Sequence, residues 1–282
     1  MSIHQADVLS RKRVASLGAW LVLSGMLFLP GYGKAQLVAM NDAGSTANID
    51  LGSSAGMYGW TVNGQNQLNQ QWFWYQANGG SIQSIDKIGT PTVTTYNGPD
   101  GINEVDAVYQ NSQLSISIDY YLQGGGVGSG NADITESITA NNLSGSSLDF
   151  NFYQYSNFNL LGESSDNVQI IGSSGAFNAV RQWNGSTAIA EVIAAPDADY
   201  AEAGYYSPSG FNPSGPLNGP LTAGPGDVTW AFEWSTTIAA GGEFDLTKDK
   251  SLSIQVVPEP STLAIIGLGV GALGLALRRK LS

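Results

Sequence analysis

Apolar and polar residues alternate along several stretches of the chain. The pattern is clearest at residues 114–122, 228–234 and 252–256, and a further stretch begins at Leu148. Alternation with a period of two is typical of β-strands that bury one face. No long stretch between residues 36 and 257 has the 3.6-residue apolar period of an amphipathic helix. The pattern therefore predicts an all-β protein.

Turn-forming residues separate these predicted strands. Asn and Ser cluster with Gly at 141–146, and Ala240-Gly241-Gly242 precedes the last predicted strand. Residues 204–226 contain 6 Gly and 5 Pro, so we expect a long surface loop there. This spacing favours one domain, residues 36–257, built as a single antiparallel β-sandwich of jelly-roll or immunoglobulin-like type.

The N-terminal end has the features of a secretory signal peptide. Arg11-Lys12-Arg13 precedes a mostly apolar run at 14–29, and Gly33 and Ala35 are small residues at the two positions that signal peptidase inspects. A basic start, an apolar middle and a small-residue exit are what signal peptidase recognises. We predict a signal helix within residues 1–35, passage through the secretion translocon, and cleavage between Ala35 and Gln36.

The C-terminal end combines a proline-rich triplet, an apolar run and a basic cluster. The run, residues 261–277, carries no charge, and as a helix it would span roughly 26 Å of a hydrocarbon core about 30 Å thick. The triplet before it is Pro258, Glu259 and Pro260. The basic cluster after it, which would stop transfer on the cytoplasmic side, is Arg278, Arg279 and Lys280. We predict a transmembrane helix at 261–277.

This tail, residues 258–282, resembles the PEP-CTERM sorting signal of Gram-negative bacteria, which is also labelled an ice-binding protein C-terminal domain. The resemblance implies recognition by an exosortase-type transpeptidase. It also implies export across the inner membrane, a transient membrane anchor, and a final place at the cell surface or in the extracellular matrix. The stretches at 72–76, 138–155 and 227–234 resemble uncharacterised exported PEP-CTERM proteins, a likeness that supports a β-sandwich.

Charge excludes one class of partner. Without its two ends, the body retains four basic residues against 21 acidic ones, a net charge near −17. Nucleic acids and anionic lipids require cationic contacts, so we expect no nucleic-acid partner. No metal cofactor is predicted, but two acidic clusters keep a calcium ion open as an alternative. The clusters are Asp100, Asn103, Glu104 and Asp106, and Asp197, Asp199 and Glu202.

The residue types also limit catalysis. The chain has no Cys, and its single His, His4, lies in the predicted signal peptide. Ser-His-Asp, Cys-His and histidine–metal mechanisms therefore have no candidates in the body. We expect a non-enzymatic protein with no catalytic residues. The alternative is a histidine-free glycosidase using a carboxyl pair, for which Glu136 and Glu233 are candidates.

Aromatic residues offer a further alternative. Trp72-Phe73-Trp74-Tyr75 forms a run in which Trp72 and Trp74 share one strand face, and Trp183 is a third candidate. Flat rings cover the apolar faces of sugars, so these tryptophans are candidate glycan contacts. The same run also fits a central strand buried on both faces. The leading hypothesis is a surface or matrix protein associated with exopolysaccharide or biofilm, and a carbohydrate-binding module is its alternative.

Overall fold

A computed structural model describes residues 36–162, 165–207, 210–211, 213 and 215–254. These residues form strands with two short 3-10 turns, Ile85–Lys87 and Leu160–Gly162. In chain order the strands are β1 (Leu37–Asp42), β2 (Ser45–Asp50), β3 (Gly56–Val62), β4 (Gln65–Asn66), β5 (Leu68–Ala77), β6 (Gln83–Ser84), β7 (Thr92–Gly98), β8 (Gly101–Gln110), β9 (Leu114–Gly124), β10 (Asn131–Asn142), β11 (Leu148–Phe158), β12 (Asp166–Ser173), β13 (Ala176–Asn184), β14 (Thr187–Ala195), β15 (Tyr200–Tyr205), β16 (Thr222–Gly226), β17 (Val228–Ile238) and β18 (Glu243–Ser253).

The strands form two nine-stranded sheets. The first has the order β1-β2-β3-β5-β11-β17-β15, with β4 beside β3 and β6 beside β5. The second has the order β16-β12-β13-β14-β18-β10-β9-β8-β7. Pairing is antiparallel throughout except for a short parallel contact between β3 and β5. The all-β prediction is confirmed. The jelly-roll or immunoglobulin-like subtype is not confirmed, because those folds have only about seven to nine strands in total.

The predicted alternation corresponds to the packing between the sheets. On β17, Trp230, Phe232 and Trp234 are buried, and the ring of Trp230 stacks on Phe158 with centroids 6.2 Å apart. Phe73 of β5 stacks on Phe152 of β11 at 5.4 Å. Because aromatic rings bury large areas, this cluster supplies much of the core in a chain without cysteine.

The predicted loop at 204–226 is shorter than expected. Its first residues complete β15, and its last residues form β16, which pairs with β12 at the edge of the second sheet. An edge strand accepts Pro225 because one side of it needs no ladder hydrogen bonds. Between these strands, Phe211 contacts Trp74 of β5 and Leu217 contacts Glu233 of β17, so this part of the chain lies against the first sheet. We call the described residues here, 206–207, 210–211, 213 and 215–221, the covering segment.

Membrane insertion was predicted for residues 261–277, which lie outside the described residues. Within the described part of the chain, no helix has the length and hydropathy required to cross a bilayer.

Candidate functional site

The first sheet has one face turned away from the second sheet, and β11 runs along its middle. Gln154 of β11 donates from Nε2 to Glu191 Oε2 of the second sheet at 2.8 Å, so its side chain points inward. Since strand side chains alternate, the odd-numbered residues of β11 lie on the opposite face. We call this the β11 face; its residues on that strand are Asn151, Tyr153, Tyr155 and Asn157.

Neighbouring strands extend the β11 face. Tyr153 is paired with Trp74 on β5 and with Glu233 on β17, and residues directly opposite in antiparallel strands share a face. On β15, Glu202 is paired with Ala231. The face therefore combines aromatic rings with carboxylates.

The covering segment contacts the aromatic part of this face. The ring of Phe211 lies 4.8 Å from Trp74, 5.4 Å from Tyr155 and 6.1 Å from Tyr153, measured between centroids. Leu217 N donates to Glu233 Oε2 at 2.8 Å. As a result Trp74 is only 8% exposed, and the open parts of the face lie on either side of Phe211.

Among the described residues, three pockets lie along β11. One of about 220 Å³ is lined by Tyr155, Glu202 and Phe211, and one of about 360 Å³ by Gln76, Asn151 and Tyr153. The third is about 470 Å³, and its lining includes Tyr58, Asn69, Gln70, Asn157, Tyr206 and Asp227. From Asn151 to Asn157 the strand rises roughly 20 Å. The three pockets thus form a discontinuous groove beside the covering segment.

The third pocket, which we call the tyrosine pocket, has two exposed tyrosines in its lining. Tyr58 and Tyr206 are 42% and 46% exposed. Asn157 is 3% exposed, and its Oδ1 has no hydrogen-bond partner among the described residues. A buried acceptor without a partner is unusual in a folded protein, so Asn157 is a candidate hydrogen-bonding residue of this pocket.

Two carboxyl groups on the β11 face, those of Asp227 and Glu233, differ in their exposure to solvent. Burial raises the pKa of Asp227, which lines the tyrosine pocket. Glu233 is only 1% exposed; burial raises its pKa, while Leu217 N–H and the Tyr153 hydroxyl oppose that rise. Burial, with the charge of Glu233, in turn raises the pKa of Tyr153 to about 12. Of these two carboxyl groups with raised pKa, Asp227 is therefore the more accessible to solvent.

The three tryptophans predicted as glycan contacts do not form one surface. Trp72 is fully buried, with Nε1 donating to Ser84 Oγ at 2.8 Å and its ring 6.3 Å from Tyr109, so it cannot contact a glycan. Trp74 lies on the β11 face beneath Phe211. Trp183 is half-buried on the second sheet, with the Arg181 guanidinium 5.2 Å from its ring.

The carboxyl pair suggested for a glycosidase is not assembled. Glu136 is completely buried between the sheets in contact with Lys248 and Lys250, whereas Glu233 lies on the β11 face. The predicted acidic clusters also make ordinary contacts: Asp100 accepts from Ala43 N, and Asp199 from Ser235 N. The described residues contain no group of three or more acidic side chains placed to hold a metal ion. Calcium stays an untested expectation.

Sequence reasoning missed the tyrosine pocket. Its residues come from β3, β5, β11 and the two ends of the segment 205–227, so no local motif joins them. One signal was present: Tyr205-Tyr206 immediately precedes the Gly- and Pro-rich stretch, and Asp227 immediately follows it.

Solved structures share this fold. A bacterial glucoamylase complexed with acarbose matches with a TM-score of 0.57 at 11% identity, covering 88% of this chain and 37% of that one. A putative aldose 1-epimerase from Escherichia coli K12 gives 0.52 at 9%, covering 79% and 99%. A galactose mutarotase related enzyme from Lactobacillus acidophilus gives 0.51 at 8%, covering 78% and 100%. The chain therefore spans about a third of the glucoamylase and the whole of the other two.

The body is thus an all-β domain with the fold of these sugar-active enzymes. Residues 256–280 match the family model described as the PEP-CTERM protein-sorting motif, so the chain carries this motif at its C-terminal end. The motif implies export, a transient membrane anchor and processing by an exosortase-type system. A comparison with curated protein sequences gives no match.

These findings correct one expectation. The absence of His and Cys led us to expect a non-enzymatic body, but the fold is that of an aldose epimerase, a mutarotase-related enzyme and a glucoamylase. The lack of His and Cys in the body excludes Ser-His-Asp, Cys-His and histidine–metal mechanisms, but it does not exclude catalysis by other residues. Fold likeness alone assigns no role to a residue.

The predicted processing residues lie almost entirely outside the described residues. This applies to Ala35, to the triplet 258–260 and to the basic cluster 278–280. Gln36 is described, and its carbonyl accepts a hydrogen bond from Leu51 N at 3.0 Å.

Proposed function

We propose that this chain is an exported carbohydrate-active protein that binds a saccharide in the groove along β11. The observation that carries the proposal is the tyrosine pocket, whose lining combines two exposed tyrosine rings with Asn157, a residue whose buried Oδ1 has no partner among the described residues. Sugar hydroxyls donate to such an acceptor, and tyrosine rings cover the apolar face of a pyranose. The shared fold with sugar-active enzymes and the sorting motif support the same proposal.

Binding is tested by calorimetric titration of the purified chain with a panel of oligosaccharides and polysaccharide fragments. Removing a ring by Tyr58→Ala or Tyr206→Ala is expected to weaken binding about tenfold, or about 1.4 kcal/mol. Tyr121→Ala is the matched control, because Tyr121 is similarly exposed, at 41%, but lies on the second sheet. The proposal fails if no saccharide binds, or if all three variants bind equally well.

Acid–base chemistry on the bound sugar is a second candidate function. It is favoured by Asp227, whose pKa is raised by burial at the pocket wall, so that it keeps its proton to higher pH than an exposed carboxyl. Asp227 thus replaces Glu136 and Glu233, the carboxyl groups considered from the sequence.

The catalytic candidate is tested by following anomer exchange and the release of reducing ends by NMR. Asp227→Asn is expected to lower a measured rate by about 10²-fold or more, the usual contribution of a positioned proton donor. Glu243→Gln is the control, because Glu243 is exposed on β18. Equal rates in the two variants would exclude Asp227 from the chemistry.

In this proposal, the sorting motif directs the saccharide-binding body to the outside of the cell. The signal peptide is cleaved between Ala35 and Gln36, and the exosortase acts near the triplet Pro258-Glu259-Pro260. The helix 261–277, with its basic end, holds the substrate in the membrane until then, and exopolysaccharide is the partner at the surface. Deleting residues 258–282 is expected to redirect the protein while leaving its sugar binding intact. Unchanged localisation of the truncated chain would rule out a sorting role.

A further inference from the structure

Four charged side chains meet in the interior between the two sheets. They are Glu136 on β10, Glu191 on β14, and Lys248 and Lys250 on β18, and none is more than 1% exposed. Lys248 Nζ contacts Glu136 Oε2, and Lys250 Nζ lies 2.6 Å from Glu136 Oε1. Glu191 Oε2 lies 3.7 Å from Lys248 Nζ and 3.5 Å from Lys250 Nζ. We call this group the interior quartet.

The register of the second sheet produces this arrangement. Glu136 and Lys248 are direct cross-strand partners, and Lys250 is paired with Glu191 on the other side of β18. The lysines occupy the same strand face as the buried Leu246 and Leu252. The Phe73 ring closes the quartet on the side of the first sheet, 5.0 Å from Lys248 Nζ. The side chains of Lys248 and Glu136, the closest pair, are thus held together away from water.

Burial alters the protonation of these groups. Desolvation, with the nearby charge of Lys250, lowers the pKa of Lys248 well below its usual value. Desolvation also raises the pKa of Glu191. A lysine that releases its proton easily is a nucleophile, and a carboxyl in contact with it is an electrophile once its charge is neutralised.

We infer that Lys248 and Glu136 are joined by an isopeptide bond that forms spontaneously after folding. Lys248 Nζ attacks Glu136 Cδ, so an N–C bond forms and the bond from Cδ to one carboxyl oxygen breaks. Two protons of the ammonium group pass to that oxygen, which leaves as water. The overall change is one ammonium and one carboxylate to one amide and one water, with no change in oxidation state.

The other two members of the quartet assist this condensation. Lys250, in contact with Glu136 Oε1, stabilises negative charge on that oxygen as the tetrahedral intermediate forms. Glu191 is placed to take a proton from Lys248 and return it to the leaving oxygen. Holding the reacting groups in contact makes the step effectively unimolecular.

The interior favours the amide. In water the free ions are strongly solvated, but here two ion pairs are buried, and a buried ion costs free energy even when it is paired. Condensation removes one positive and one negative charge, and leaves Lys250 and Glu191 as a balanced pair. The bond also links β10 to β18 across 112 residues of a chain that has no cysteine.

Mass spectrometry of the denatured full chain tests the inference. The intact mass is expected to be one water lower than the mass calculated from the observed chain ends. Trypsin cuts after Lys and Arg, so an unlinked chain gives separate peptides 88–181 and 182–248. The linked chain gives 88–181 joined to 182–250, since cleavage after the modified Lys248 is blocked. An unaltered mass with free peptide 182–248, or a branch located at Lys250, would overturn the assignment.

Two variants complete the test. Lys248→Met removes the nucleophile and is expected to show the full calculated mass. Lys87→Met is the control, because the Lys87 side chain is 65% exposed, and it is expected to retain the loss of water. A deficit that persists in Lys248→Met would contradict the bond. If Lys248→Met does not fold, the peptide map of the unaltered chain still decides.

Discussion

Replacing Asp119 by Asn is expected to stabilise the protein above neutral pH. Asp119 lies on β9 directly opposite Asp106 of β8, with Glu104 diagonal to it. Burial, followed by the charges of Asp106 and Glu104, raises the pKa of Asp119 to about 6. The ionised side chain is therefore a cost to the folded state, and the isosteric amide removes it.

The size of this effect follows from the pKa. Taken in full, a rise from 3.8 to about 6 corresponds to about 3 kcal/mol of unfolding free energy. Asp119 is half-buried and solvent screens its carboxylate, so we expect about 1 kcal/mol. The folded state binds more protons than the unfolded state between about pH 4 and about pH 6, so wild-type stability falls as pH rises through that window. The gain in Asp119→Asn is complete above about pH 7 and disappears toward pH 4.

Urea denaturation of wild type and variant between pH 4 and pH 8 measures the difference. Asp197→Asn is the control, because Asp197 is exposed. The raised pKa of Asp119 is not the cause if Asp119→Asn gains no stability at pH 8, gains as much at pH 4, or behaves like the control. Added salt is expected to shrink the gain, because like-charge repulsion at this half-exposed site is screened.

Two further substitutions test the packing, both by urea denaturation at neutral pH. Gly56→Ala is expected to lower the unfolding free energy by about 2 kcal/mol or more, because Gly56 has φ +60° and the new methyl group would collide with Trp72. Gly64→Ala is the control. Gly64 has φ +78° but open space around it, so a loss of only about 1 kcal/mol is expected. Equal losses would show that the contact with Trp72 is not the cause. Phe158→Ala is expected to cost about 3–5 kcal/mol, because its ring is buried against Trp230, and a loss below about 1 kcal/mol would contradict that packing.

Strands with one buried face were predictable from the sequence because their alternation directly reflects which side chains meet the core. The stretch 114–122 became β9, and 228–234 became the aromatic centre of β17. A strand covered on both faces was harder to recognise. The run from Trp72 to Tyr75 favours a central strand buried on both faces, but a run of aromatic residues does not by itself reveal whether a second layer covers it, so a glycan platform is its alternative.

The interior quartet could have been found in the sequence. Lys248 and Lys250 have the same parity as Leu246 and Leu252, and Glu136 stands between Ile134 and Ile138, so opposite charges occupy the buried faces of two strands. The tyrosine pocket carried no such signal. Its residues are distant in sequence and meet only because β3, β11 and the covering segment are adjacent in the fold.

Mapping saccharide-induced amide shifts by NMR would locate the binding site on the fold. We expect shifts at Tyr58, Asn157, Tyr206 and Asp227, in the groove along β11, and none around Tyr121 on the second sheet. Shifts centred on Trp183, or no shifts with any saccharide, would contradict this location.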